Sequence, residues 1–279
     1  MIKNKFKSKV RRGRRKSLKV FEKSVRFLGV NAAGLKSKLT SFTKVLNDLQ
    51  PSVFFLEETK YQESGKLKIG ENYHVYDLIR QDRKGGGLAL GCLKELNPMW
   101  VREGNDLVEA LSIEIFLKSM KIRCCVAYGP QENSNLEKKH AFWNYLDTEV
   151  IEAEKSGSGF ILHFDGNLWA GGNVIPGDPR IQNKNGKLFE EFLDRNPNLS
   201  VVNRLPQCKG LITRARMKEG KLEESILDFH GRCPLGRGRH NVEKLYIYLF
   251  IYLCVCVYVL DTFIKSQYKW SGQPGWFPE

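Results

Sequence analysis

The sequence predicts a mixed α/β domain that follows a short basic arm. Three observations carry this prediction. Short apolar runs bounded by turn residues recur from residue 25 onwards, three intervening segments have helical spacing of their apolar residues, and an apolar share of 42% can bury a sizeable core. The 279 residues are enough for one large domain or two ordinary ones.

Three segments have the apolar spacing of amphipathic helices. The first, SKLTSFTKVLNDLQP, repeats leucine, phenylalanine and valine at helical intervals and reaches Pro51, before which a helix should already have ended. The second is KKHAFWNYLDTEVIEA, and the third is GKLFEEFLDRNP, which stops at Pro197. Each helix is expected to lay one apolar face on a sheet.

The predicted strands share a feature at their carboxyl ends, where a polar side chain follows each apolar run. The runs are SVRFLGV, SVFFL, IRCCVA, FILHF and ESIL, and they are followed by Asn31, Glu57 with Glu58, Tyr128, Asp165 and Asp228. One such ending usually marks only the start of a turn. Five in one domain predict strand ends gathered around a single site.

The glycine run KGGGLALGC, residues 84–92, is interpreted as a turn that leads into a strand beginning at Leu88. Glycine-rich loops can cradle phosphate, but this run matches neither G-x-x-x-x-G-K-[ST] nor G-x-G-x-x-G. No nucleotide cofactor is therefore expected.

The charge of the chain indicates a polyanionic partner. The formal net charge is +14 and the isoelectric point is about 9.4, an excess that attracts nucleic acid. We expect residues 1–23 to form a disordered basic arm, in which the positive charges cluster at Arg11, Arg12, Arg14, Arg15 and Lys16. The arm can be interpreted as a nuclear-import or nucleic-acid-binding segment, as a solvated tail or as an organellar transit peptide. We favour the first, and with it an intracellular protein of the nucleus rather than the mitochondrion.

The cysteine pattern excludes two common kinds of small-protein scaffold. Seven cysteines form no C-x-x-C pair and are odd in number: Cys92, Cys124, Cys125, Cys208, Cys233, Cys254 and Cys256. A disulfide framework or a zinc site is therefore not expected, and a reducing compartment fits the sequence.

Six short motifs, taken in order, resemble those of the endonuclease/exonuclease/phosphatase superfamily. They are NAAGL (31–35), FFLEETK (54–60), AYGP (127–130), FDGN (164–167), NKNGKLF (183–189) and ESILDF (224–229). Over about residues 24–230 the order and spacing resemble, more narrowly, the apurinic-type endonuclease domain of LINE-like retrotransposons. The resemblance implies a four-layer α/β sandwich, in which two mixed sheets face each other with helices outside, incomplete at the C-terminus.

The resemblance also implies magnesium-dependent hydrolysis of DNA phosphodiesters, and it assigns a metal site. Glu58 corresponds to the ligand of Mg²⁺, or of Mn²⁺ in its place, and Asn31 to a residue beside the metal and the phosphate. Glu57 is expected to face away from the site, because successive strand residues alternate sides.

Four further residues correspond to the family's catalytic side chains. By resemblance, Asp165 orients or deprotonates the attacking water, Asn167 holds the phosphate, and Tyr128 touches the phosphate or the leaving group. Asp228 corresponds to an aspartate that orients a histidine against the scissile phosphate. Phe164 stands where the family has glycine, which puts the geometry of that turn in question.

The histidine itself has no counterpart in this sequence. The family places it in a Ser-Asp-His motif beyond the position of Asp228, whereas the later histidines here are His230 and His240, and neither follows Ser-Asp. We expect His230 to be an ordinary strand residue and His240 a loop residue. Loss of such an electrostatic group is expected to cost about two to three orders of magnitude in rate. The sequence therefore predicts an impaired, C-terminally truncated endonuclease.

Residues 231–279 are expected to form a divergent tail that contains the apolar segment LYIYLFIYLCVCVYVL, residues 245–260. This segment is shorter than the usual membrane-spanning helix, and its Tyr-Ile and Cys-Val alternations are what repeated dinucleotides encode. We favour translated simple-repeat DNA over a membrane span. Two other functions stay open: a catalytically inactive nucleic-acid-binding remnant, and a membrane-tethered phosphatase-like member of the superfamily. The oligomeric state is not predicted.

Overall fold

The computed structural model describes residues 25–202, apart from positions 64, 66, 81–84, 118, 119 and 179, and three later strands at 214–218, 221–225 and 228–233. The basic arm with Arg11, Arg12, Arg14, Arg15 and Lys16 lies outside the described residues, as do His240 and the segment 245–260. Within the described part of the chain, no helix has both the length and the apolar character needed to cross a membrane.

The first sheet contains four strands. They are β1 (Phe27–Asn31), β2 (Val53–Glu57), β3 (Tyr73–Leu78) and β4 (Leu88–Leu93), in the order β1-β2-β4-β3. Strands β1 and β2 are parallel, whereas β4 runs antiparallel to both β2 and β3. The sheet is therefore mixed.

The second sheet contains six strands and is also mixed. Its members are β5 (Met99–Glu103), β6 (Glu109–Leu117), β7 (Met120–Tyr128), β8 (Gly159–Asp165), β9 (Ser200–Val201) and β12 (Asp228–Cys233), in the order β5-β6-β7-β8-β12-β9. Strands β7 and β8 are parallel, and the other pairs are antiparallel. A separate antiparallel pair consists of β10 (Arg214–Lys218) and β11 (Lys221–Ser225).

The helices lie where the apolar spacing predicts them. They are α1 (Leu39–Leu49), α2 (Leu136–Lys155) and α4 (Lys184–Arg195), with a single turn α3 (Gly171–Val174) and 3₁₀ turns at Lys36–Lys38 and Lys94–Leu96. Helices α2 and α4 begin at the N-caps Asn135 and Asn183, whose side chains accept backbone N–H groups of the first turn. Helix α1 ends at Leu49, and its C-cap Gln50 immediately precedes Pro51.

Three apolar clusters define four layers. The inner cluster joins the facing sides of the two sheets and includes Phe55 and Leu90 from the first sheet and Val126 from the second. A second cluster packs α1 on the outer face of the first sheet, and a third packs α2 and α4 on the outer face of the second. The predicted four-layer α/β sandwich with two mixed sheets is confirmed.

One strand prediction is wrong. ESIL was expected to deliver Asp228 at its carboxyl end, but β11 ends at Ser225 and Asp228 is the first residue of β12. Because β12 runs antiparallel to β8, its first residue lies opposite the last residue of β8. Asp228 therefore lies at the expected edge of the sheet, but at the start of its strand and not at the end. His230 lies within β12, as predicted.

The two sheets approach closely where Gly29 of β1 faces His163 of β8. A Cβ atom added at Gly29 would lie 2.4 Å from Cε1 of His163, whose side chain is 1% exposed. The ring has no free space to move into, since it is also packed against Phe55.

We expect Gly29→Ala to destabilise the fold by about 1–3 kcal/mol, because it overpacks this contact. The urea midpoint should fall without a change in the slope of the transition. Gly172→Ala is the matched control, since its Cβ would lie at an ordinary 3.5 Å from the Asp178 carbonyl oxygen. Equal midpoints for the two variants would contradict the prediction.

Candidate active site

Four strand ends meet at one edge of the sandwich. Asn31 ends β1, Tyr128 ends β7 and Asp165 ends β8, while Glu58 directly follows β2. In the first sheet, β1 and β2 are parallel, so their carboxyl ends lie together. In the second sheet, β7 and β8 are parallel, and Tyr128 lies beside Asp165. The five predicted residues of this group, Asn167 included, are connected by hydrogen bonds or lie beside one another.

Asn31 links the carboxylates of the two sheets. Its amide nitrogen donates to Oε1 of Glu58 at 3.2 Å and to Oδ2 of Asp165 at 3.0 Å. The hydroxyl of Tyr128 donates to the same Oε1 of Glu58 at 3.3 Å. Charge-assisted bonds of this kind hold the two carboxylates close together despite their mutual repulsion.

Asn167 completes the turn after β8. Its backbone N–H donates to Oδ1 of Asp165 at 3.0 Å, and its amide nitrogen donates to the carbonyl oxygen of Gly129 at 2.9 Å. The residue has φ of 44°, in the left-handed region that asparagine tolerates better than most residues. The turn therefore fixes both oxygens of Asp165 in combination with Asn31.

Asn185, which sequence reasoning did not single out, connects the turn after β8 to the loop after β7 by hydrogen bonds. Its amide nitrogen donates to the carbonyl oxygens of Pro130 at 2.7 Å and of Asn167 at 3.0 Å, and the residue is 1% exposed. The only sequence signal was its place within the NKNGKLF motif. Asn185 braces the loops after β7 and β8 against each other.

The backbone at Glu58 is strained. Glu58 has φ of 49°, a conformation that costs a glutamate energy, and its carbonyl oxygen accepts the N–H of Gly34 at 2.7 Å. The strand has already ended at Glu57, so simple alternation does not apply to Glu58. The left-handed residue turns the Glu58 side chain towards Asn31 and Tyr128, with Lys60 Nζ 3.4 Å from its other oxygen.

Glu57 is not directed away from the site, and here the sequence prediction was wrong. Its side chain is fully buried, and Oε1 accepts the backbone N–H of Asp165 at 2.6 Å. The left-handed turn at Glu58 separates the two side chains, and Glu57 lies in the interior between the two sheets. From there it reaches the strand that carries Asp165.

The substitution at Phe164 leaves the turn intact. Its side chain is 1% exposed and packs against Phe142, Trp143 and Phe189 beneath the outer helices.

Asp228 lies directly opposite Asp165 in the pairing of β12 with β8, so its backbone is at the same edge.

Tyr128 is held in its neutral form. Burial raises its pKa above the ordinary value of 10.0, and the neighbouring carboxylates of Asp165 and Glu58 raise the pKa further. The hydroxyl is therefore a hydrogen-bond donor throughout the neutral range. Because the folded pKa is raised, the contribution of this group to stability is complete below pH of about 10 and is lost as the pH rises towards the folded pKa.

We expect Tyr128 to contribute no tyrosinate absorbance at about pH 11 while the protein is folded. The test compares the 295 nm absorbance of the protein with that of Tyr128→Phe, with circular dichroism as a check on folding. The two should agree in the folded state and differ by one tyrosinate in urea. A full difference in the folded state would contradict the raised pKa.

The donor set suits a hard divalent cation with a largely aqueous coordination shell. Among residues with described side chains, no group of three His, Cys, Asp or Glu is arranged as a metal cluster. Glu58 and Asp165 nevertheless converge through Asn31, and Mg²⁺ commonly binds through one or two carboxylates while keeping several waters. The oxygen chemistry of the site thus fits Mg²⁺ or Mn²⁺, with Glu58 and Asp165 as the candidate ligands.

A cleft of about 470 Å³ adjoins Tyr128. Its walls come from the end of β3, the turn between β5 and β6, and the loop after β7, and they include Arg80 and Lys138. The guanidinium of Arg80 lies over the Tyr128 ring at 5.4 Å and pairs with Glu109. Its lining also contains Glu103, Asp106 and Glu109, so the cleft beside the strand ends carries charges of both signs.

Neither a protein-family model nor a curated protein matches the sequence. Solved structures do match the fold. The endonuclease domain of TRAS1, a telomere-specific non-LTR retrotransposon, is 13% identical with a TM-score of 0.51, over 74% of this chain and 83% of that chain.

Two further solved structures match to a similar degree. The 3′ phosphatase NExo from Neisseria, bound to a product DNA hairpin, is 16% identical with a TM-score of 0.57, over 74% of this chain and 86% of that chain. The AP endonuclease LMAP from Leishmania major is 15% identical with a TM-score of 0.57, over 74% and 78% respectively. At these identities the likeness shows the fold alone.

Proposed function

From this endonuclease/exonuclease/phosphatase fold and its clustered strand-end side chains, we propose that the chain is a divalent-metal-dependent phosphodiester hydrolase that nicks DNA in the nucleus. The single observation that carries the proposal is the Asn31 bridge, which brings Glu58 and Asp165 together across the two sheets. The solved structures of similar fold include a retrotransposon endonuclease domain and an enzyme bound to DNA, which supports DNA as the substrate and a retroelement origin.

The proposed chemistry divides hydrolysis among the site residues. Asp165 accepts a proton from the attacking water, because its carboxylate is oriented by Asn31 and by the Asn167 N–H. When the substrate binds, the Tyr128 hydroxyl turns from Glu58 to a phosphate oxygen, to which the Asn167 amide also donates, and the raised pKa of Tyr128 keeps its proton in place. When bound by Glu58 and Asp165, Mg²⁺ or Mn²⁺ supplies charge that stabilises the phosphate and the leaving oxygen.

The rim of the site suits a nucleic-acid strand. Trp169 follows the Asn167 turn and is 48% exposed, and helix α4 begins beside it at Lys184. The backbone N–H of Trp169 donates to Asn183, the N-cap of that helix, so the aromatic and the basic residue are held together. Exposed aromatic and basic side chains in this arrangement match the needs of base stacking and phosphate binding.

The test is nicking of supercoiled plasmid by the full chain in Mg²⁺, with EDTA as the metal-free control. We expect conversion to open circles in Mg²⁺ and none in EDTA, at a low rate because the sequence has no Ser-Asp-His motif after Asp228. The same missing motif supports a second candidate, an inactive nucleic-acid-binding remnant. A gel shift at low salt without any nicking would favour the remnant and contradict the hydrolase.

A further inference from the structure

Glu57 is a buried carboxylate that connects the first sheet to the residue proposed to activate water. It ends β2 after four buried apolar residues and is itself 0% exposed. Its Oε1 accepts the backbone N–H of Asp165 at 2.6 Å, and its Oε2 lies 3.5 Å from Nε2 of His163, which is 1% exposed. The contact joins residues 108 positions apart.

A buried carboxylate at this position opposes folding unless other groups compensate for its lost hydration. Burial removes the carboxylate from water, and the Asp165 N–H and His163 are among the groups that compensate for this loss. The inner faces of the two sheets are otherwise joined by an apolar cluster. An apolar residue at position 57 would continue that cluster, so stability by itself does not explain a glutamate there.

The position of Glu57 beside Asn31 explains why a glutamate stands there. Asn31 and Glu57 are register partners in β1 and β2, and both reach across to Asp165. Asn31 holds the carboxylate of Asp165 at Oδ2, whereas Glu57 holds its backbone. Two contacts from one sheet to a single residue of the other fix the separation between Asp165 and Glu58, which directly follows Glu57. Catalytic groups lose rate when they move by about 1 Å, so such fixing matters for the reaction.

We propose that Glu57 is a positioning residue, whose carboxylate oxygen locks the end of β8 so that Asp165 stays in its working position relative to Glu58. The expected effect of Glu57 on DNA cutting rests on the proposed hydrolase function. The hydrogen bond from the Asp165 N–H to Glu57 does not depend on it. The residue acts as a hydrogen-bond acceptor, and its negative charge is not required.

The test compares Glu57→Gln, which keeps an acceptor oxygen, with Glu57→Met, which is similar in length and has only a weakly accepting sulfur. In nicking assays we expect Glu57→Met to lower kcat by about 10- to 100-fold, as for groups that orient a ligand, with KM changed less than about threefold. Glu57→Gln should restore kcat to within about fivefold of the original. Glu57→Leu is a second apolar variant in case the methionine variant does not fold.

A second readout does not depend on activity. Amide hydrogen exchange followed by NMR should show Asp165 exchanging at least about tenfold faster in Glu57→Met, relative to the core amide of Ile113, and close to normal in Glu57→Gln. Ile113 is a suitable reference because it is fully buried in β6.

The matched control is Glu149→Met. Glu149 is also 0% exposed, but it binds Arg102 and Ser112 beneath α2 rather than Asp165. This variant should destabilise the fold while leaving kcat and the Asp165 exchange ratio unchanged.

Three results would overturn the proposal: an unchanged Asp165 exchange ratio in the apolar variant, a kcat loss above about tenfold in Glu57→Gln, or equal losses in Glu149→Met. If the unaltered chain cuts no DNA, the hydrolase proposal fails, and the exchange measurement still decides whether Glu57 positions Asp165.

Discussion

Asp165→Asn is expected to slow DNA nicking by about a thousandfold, the size of a general-base contribution. The substitution removes the base, and it also removes one of two acceptors. Oδ1 accepts the Asn167 N–H and Oδ2 accepts the Asn31 amide, whereas an asparagine has a single side-chain oxygen. The chemical step should fall while DNA affinity changes little.

Single-turnover nicking of supercoiled plasmid in saturating Mg²⁺ measures this step, and a gel shift measures affinity. Asp147→Asn is the control, because Asp147 is a carboxylate paired with Arg195 on the outer helices, remote from the strand ends. A rate for Asp165→Asn within tenfold of the original would remove Asp165 from the proposed mechanism.

Glu58→Gln is expected to lower the rate by about 100-fold or more and to raise the Mg²⁺ concentration needed for half-maximal rate. Glutamine is nearly isosteric with glutamate and keeps the oxygen that accepts from Asn31 and Tyr128. The change thus removes the ligand's negative charge while preserving most of the surrounding geometry. Excess Mg²⁺ should recover part of the rate.

The measurement is nicking as a function of Mg²⁺ concentration, supported by Mn²⁺ binding followed by electron paramagnetic resonance. Glu137→Gln, at an exposed position in the first turn of α2, is the charge-matched control. Unchanged Mn²⁺ affinity in Glu58→Gln would show that Glu58 does not bind the metal, whatever the effect on rate.

Local patterns in the sequence determined most of the fold. Helices α1, α2 and α4 were predictable because each has apolar residues at helical spacing, and Pro51 and Pro197 mark the ends of the first and the last of them. The strands that end at Asn31, Tyr128 and Asp165 were predictable from buried apolar runs that stop at polar residues. Within each sheet, parallel pairing brings such ends together, β1 with β2 and β7 with β8.

Residues that act across the two sheets were not predictable. Glu57 was set aside by strand alternation, a rule that says which face of its own sheet a residue occupies and nothing about what lies opposite. Asp228 was placed at the right edge for the wrong reason, since its strand runs the other way. Asn185 carried no signal beyond a motif, because its partners Pro130 and Asn167 lie in other loops.

Local patterns were therefore enough to predict the helices, most strands and the polar residues at their ends, since propensity and apolar periodicity act over a few neighbouring residues. The bonds that hold the site became visible with the folded chain: the Asn31 bridge, the left-handed turn at Glu58 and the Glu57 contact to Asp165. The physical reason is that these bonds depend on how two separately formed sheets face each other, and packing across that interface is a property of the whole chain.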